Sequence, residues 1–182
     1  MMKAITLWQP WASLVLVGAK PYEFRGWCPP KWMHGSRIAI HAGARPIRRS
    51  EVWDLIQRLK STNPGINLCL HREPALTLLE RVLEGLPAAR RGAQQAAPLF
   101  GDAPELDQPT PFRLPLSCIV CTAVLGRPKP GNLCAAEFGR AGNDSDRHQH
   151  FNWGWPLTDI KPVMPHVEVN GAQGFWDWRA AA

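Results

Sequence analysis

Residues 5–25, ITLWQPWASLVLVGAKPYEFR, decide how this chain folds. Residues 5–8 form a short apolar run of strand character. Gln9-Pro10 then opens a helix, because proline is tolerated at a first helical position, where its missing N–H costs nothing. Trp11, Leu14, Val15 and Gly18 recur at the spacing of one helical face, and Gly18 suits closure of the helix in a left-handed conformation. Tyr22-Glu23-Phe24-Arg25 alternates aromatic and charged residues with a period of two. That pattern predicts a half-buried strand with Tyr22 and Phe24 inward and Glu23 and Arg25 outward. Lys20 sits at the helix-to-strand corner, so Lys20, Glu23 and Arg25 are expected to converge outside one end of the strand.

Working outward, residues 37–42 read as a buried strand that ends at His41, next to Gly43. Ser50 is placed as the N-cap of a helix whose Val52, Leu55, Ile56 and Leu59 share a face. Asn63-Pro64-Gly65 stops it, and a second helix is expected to begin at Pro74. Residues 87–115 are rich in proline with little periodicity, the composition of a linker. Residues 50–112 are therefore read as a helical and Pro-rich insertion between two strands. Residues 116–125 are β-branched and apolar on both faces, hence a central strand. Two further strands are predicted at 148–157 and 160–169, the second an edge strand because Pro162 and Pro165 cannot donate to a ladder. Phe175, Trp176 and Trp178 are expected to close the floor. The fold class is α+β, a small mixed β-barrel with a short helix after the first strand, formed by one domain spanning residues 1–182.

Gln9-Pro10-Trp11-Ala12 followed by Gly18-x-Lys20-x-x-Glu23-x-Arg25 resembles the opening of ASCH domains (activating signal cointegrator homology), a branch of the PUA-like superfamily. Residues 37–42, 116–125, 153–157 (Trp-Gly-Trp-Pro-Leu) and 171–176 (Gly-Ala-Gln-Gly-Phe-Trp) are similar to later segments of that family, in the same order. The resemblance implies a PUA-like barrel that binds nucleic acid. Some small ASCH-related proteins hydrolyse acetylcytidine with a lysine at the position of Lys20 and a threonine three residues on, where this chain has Glu23. Others act as ribonucleases in which a tyrosine precedes the lysine, whereas Tyr22 follows it here.

Charge and composition agree with such a partner. The formal charge is +6. Residues 1–49 hold eight basic side chains against Glu23 alone, so the remainder of the chain is close to neutral. Phosphate contacts require such a basic segment, because neutralising backbone phosphates releases counterions. The five cysteines are odd in number and scattered, which argues against a secreted disulfide framework and for a reducing compartment. No apolar run approaches the roughly 18 residues of a membrane span. A cytoplasmic protein is expected.

Several constellations are candidates for chemistry. Lys20, Glu23 and Arg25 can bind a phosphate, or serve a hydrolase in which Lys20 and Glu23 form an acid–base pair. His41 ends a strand near the same cleft, and histidine suits proton transfer near neutral pH. Of nine tryptophans, Trp8, Trp11, Trp27, Trp32, Trp153 and Trp155 interleave with the basic residues. Trp11 and Trp153 are the candidates to stack a base, and Gln9 and Asn152 to pair with its edge. Cys118-x-x-Cys121 has zinc-like spacing, but three residues along a strand place the two sulfurs on opposite faces. His148 and His150 lie near Asp144 and Asp146 without helical spacing. No metal and no cofactor are expected. The expected function is nucleic-acid binding, with RNA or another single-stranded nucleic acid, or a modified nucleoside, as the partner. The alternative is a hydrolase acting on a modified nucleoside or on RNA phosphodiesters.

Overall fold

A computed structural model describes residues 1–86, 112–139 and 152–179. The first apolar run becomes β1 (Met2–Leu7), which leads into α1 (Trp11–Leu16) and β2 (Tyr22–Arg25). Gly18 takes φ of +73°, and its N–H reaches Val15 O at 2.9 Å, so it turns the chain out of α1 as expected. Then follow β3 (Arg37–Ala42), α2 (Arg49–Lys60), α3 (Arg72–Gly85) and β4 (Cys118–Leu125). The two-residue β5 (Lys129–Pro130), α4 (Gly131–Glu137), β6 (Trp153–Glu168) and β7 (Phe175–Trp178) complete the order.

The strands form a curled half-barrel in the order β2-β6-β4-β3-β1-β7, with β5 pairing to β6. The fold is mixed α+β. β1 and β3 run parallel and every other pairing is antiparallel. β4 lies between β3 and β6 and is buried along nearly its whole length, which is why it carries apolar residues on both faces. The two strands predicted at 148–157 and 160–169 are one, β6, of 16 residues. Its first part pairs with β2, Tyr22 opposite Pro156 through Arg25 opposite Trp153. Its second part pairs only with β4 and is locally an edge, which accommodates Pro162 and Pro165. There the ladder jumps, since Ile119 faces Val167 while Cys121 faces Pro162.

β4 also carries a bulge against β3. Ile40 pairs with Cys121 and His41 with Ile119, leaving Val120 without an opposite number. This overturns one expectation. Cys118, Val120, Cys121, Ala123 and Leu125 all join one apolar cluster, and Ile119 joins another on the far side. The extra residue resets the alternation, so Cys118 and Cys121 share a face. Burial raises both thiols, that of Cys121 to about 12, and marks them as packed apolar groups.

The helical insertion forms a second core. Val52, Leu55, Ile56 and Leu59 of α2 and Ala75, Leu78, Leu79 and Val82 of α3 pack together against Leu14 and Ala19. α2 begins before the expected cap at Ser50. Arg48 occupies that place, and its N–H donates to Glu51 Oε2 at 2.8 Å, so a carboxylate three residues in does the capping. α3 starts at Arg72, two residues before Pro74, which sits in the first turn, where its missing N–H costs nothing. Arg49 donates to the carbonyls of Leu83 and Leu86 and ties the two helices at α3's C-terminal end. His71 N–H donates to Ala19 O at 2.8 Å and fastens the insertion to the corner beside Lys20. The Pro-rich stretch 87–111 lies outside the described residues. No helix among those described is long and apolar enough to cross a membrane.

Candidate functional site

A cleft of about 890 Å³ opens where the ends of β1, β2 and β3 meet residues 170–174. Four pieces of chain build it. The end of β1 and the turn into α1 bring Thr6, Trp8 and Trp11, and β2 brings Glu23, Phe24 and Arg25. β3 contributes His41, and residues 170–174 cross opposite them with Trp27 beside the opening. The strand register explains the convergence. β1 and β3 lie side by side with Thr6 opposite His41, and β7 on the other flank of β1 sets the loop 170–174 against both.

Glu23 was expected to point to solvent. It is instead only 6% exposed, because its face of β2 looks into the cleft. Its carboxylate lies between two cations. Lys20 Nζ is 3.3 Å from Oε2, and Arg25 Nε is 2.8 Å from Oε1, close ion pairs made by residues three apart and two apart in sequence. The cations differ in placement. Arg25 remains partly exposed on the cleft wall. Lys20 is 1% exposed, with its ammonium 5.3 Å from the centre of the Trp11 ring and 5.7 Å from that of Phe24. Burial lowers the Lys20 pKa, opposed by the neighbouring Glu23 carboxylate. Lys20 is thus a support beneath Glu23 and does not line the cleft.

His41 is 2% exposed. Its Nε2 lies 2.9 Å from Val169 O, and a carbonyl can only accept, so Nε2 carries the proton. Trp176 packs edge-on against the ring, with centroids 5.5 Å apart, and donates through Nε1 to Thr6 Oγ1 at 3.2 Å. Nδ1 is therefore a lone-pair acceptor, and it has no hydrogen-bond partner among the described residues. Burial lowers the His41 pKa and keeps the ring neutral. Gly171 makes this packing feasible: a Cβ there would fall 2.5 Å from His41 Nδ1 and 2.6 Å from Thr6 Oγ1.

The structure thus brings Trp11, Glu23, Arg25 and His41 to one cleft and sets Lys20 directly behind it. Gln9 and Trp153 lie elsewhere. Gln9 is buried, its Nε2 donating to Pro115 O at 2.7 Å and its Oε1 accepting from Ser13 N at 3.2 Å, so the amide fastens the start of α1. Trp153 packs beside the sheet core, opposite Arg25 and Pro130 in the strand ladders. Trp8 and Trp27, which the sequence set among the interleaved tryptophans but ranked below Trp11 and Trp153, line the cleft, as do Gly171 and Gln173, which it did not assign to the site. Trp8 is 56% exposed at the end of β1, a placement that alternation along a strand does not reveal.

A smaller pocket of about 330 Å³ adjoins the first and shares Trp8 and Trp11 with it. Arg45 lies over the Trp8 ring, 5.0 Å from its centre, and pairs with Glu51. Among the described residues, no three His, Cys, Asp or Glu side chains gather as a metal ion would require. The segment holding His148, His150, Asp144 and Asp146 lies outside those residues. No protein-family model and no curated protein matches this sequence.

Proposed function

We propose that this chain is an ASCH-type, PUA-like domain that binds single-stranded RNA in the cleft between β2 and residues 170–174. One observation carries the reading: Trp8, Trp11 and Trp27 border a nucleotide-sized cleft whose wall holds the Arg25 guanidinium. Ring faces beside a cation suit a stacked base and its phosphate, and each base–aromatic stack contributes about 1–3 kcal/mol. The five cysteines, none in a disulfide, support a reducing, cytoplasmic setting.

The test is titration of a labelled single-stranded RNA with the parent protein and with Trp8→Ala/Arg25→Ala, over a salt series. About tenfold or greater weakening is expected, together with a salt slope reduced by roughly 0.7 for each phosphate that is no longer neutralised. Equal affinity and equal salt dependence would remove the cleft from consideration.

A hydrolase is the second reading, favoured by the Lys20–Glu23 pair, whose charged groups lie 3.3 Å apart. Glu23 is the member of the pair that reaches the cleft and would exchange protons with a substrate such as an acetylated cytidine. Release of acetate from N4-acetylcytidine, abolished by Glu23→Gln, would establish this reading. No turnover by the parent protein would dismiss it for this substrate.

A further inference from the structure

We propose that the cleft selects guanine, reading its Watson–Crick edge with Arg25 and Glu23; this rests on the nucleic-acid reading above. The argument begins with hydrogen-bond polarity. A carboxylate offers only acceptors and a guanidinium only donors. Arg25 and Glu23 are held side by side, Nε 2.8 Å from Oε1, and both line the cleft, so guanidinium donors and carboxylate acceptors border it together. Guanine carries the complementary groups: the O6 acceptor, then the N1–H and N2–H donors. Adenine and cytosine set one amine beside a ring-nitrogen acceptor. Uracil sets one N–H between two carbonyls. Each of those three brings a lone pair against the carboxylate, and a buried site built for donors rejects such a ligand strongly.

One further feature favours this ligand. Glu23 is held from behind by Lys20, 3.3 Å from its other oxygen, so the carboxylate is fixed before any ligand arrives. A donor-rich ligand therefore suits this cleft better than an acceptor-rich one.

The experiment uses RNA oligomers of about six nucleotides, uridine throughout except for one central guanosine, inosine, adenosine or cytidine, beside the all-uridine chain. The expected result is about tenfold tighter binding of the guanosine oligomer than of the adenosine, cytidine or all-uridine ones. Inosine lacks the N2 amine and is expected to fall between. Glu23→Gln, which puts an amide N–H where an acceptor stood, is expected to bring the ratio of guanosine to all-uridine affinity close to one. Equal affinity of the parent protein for all five oligomers overturns the guanine assignment and leaves RNA binding standing. Failure to bind any of them overturns both. The comparison of guanosine with inosine uses the unaltered protein, so it stands whether or not the variant folds.

Discussion

The indole of Trp155 lies stacked on the ring of Phe175, with 5.5 Å between centroids and 14° between planes. The contact joins β6, near one end of the strand order, to β7 at the other edge, so it holds the curled sheet together across its concave side. Trp27 packs edge-on against both rings, and its carbonyl accepts from Trp155 Nε1 at 3.1 Å. The aromatic group that closes the half-barrel thus also forms one side of the cleft.

Trp155→Ala is expected to cost about 3–5 kcal/mol, because the ring is fully buried and leaves a large cavity. Phe175 is only partly buried, so Phe175→Leu is expected to cost about 1 kcal/mol. Urea unfolding of both variants checks the order. A loss at Trp155 no greater than about 1 kcal/mol would show that the stack does not hold the edges together.

The ion pairs at Glu23 make a second expectation. Glu23→Ala leaves Lys20, buried, and Arg25 facing each other without the carboxylate between them, and is expected to cost about 3–5 kcal/mol. Lys20→Met, which keeps the stem and removes the charge, is expected to cost less, because Glu23 retains the Arg25 guanidinium at 2.8 Å. Chemical denaturation of the two variants distinguishes them.

Gly171→Ala is expected to destabilise by about 1–3 kcal/mol and to weaken RNA binding. The added methyl would meet the His41 ring and Thr6 Oγ1 at well under contact distance, and residues 170–174 must move away from β1 and β3. Thermal unfolding together with oligonucleotide titration measures both effects. A neutral result would mean that the loop does not press on His41 in solution.

Stability is expected to fall on acidification in the window below 6.5. Burial lowers the His41 pKa in the folded state, so in that window the unfolded chain binds a proton that the folded chain does not. Stability contributed by this ring therefore rises with pH up to about 6.5 and then levels. His41→Gln is expected to flatten that portion of the profile. A profile with the same slope in both proteins would place the titrating group elsewhere.

Much of the scaffold was legible because it follows from local periodicity. The alternation in Tyr22 to Arg25 marked β2, Gly18 marked the exit from α1, and the stripe from Val52 to Leu59 marked the packed face of α2. What escaped depends on partners distant in sequence. Glu23 is buried because the cleft faces it, which two-residue alternation cannot express. Cys118 and Cys121 share a face because Val120 bulges against a strand some eighty residues earlier. Gln9 sat among recognition candidates on the strength of its neighbours, and its amide is committed to Pro115 and Ser13. At the site, the charges were readable from sequence, but the lone acceptor on His41 emerges only when Val169 is seen to claim the other nitrogen.

Trp8 borders both the main cleft and the smaller pocket beside it. One side chain adopts one rotamer at a time, so an occupant that pins this indole from one chamber also fixes the partition seen from the other. Neighbouring units of a polymer threaded past it would then be seated in concert, the second finding a wall already set by the first.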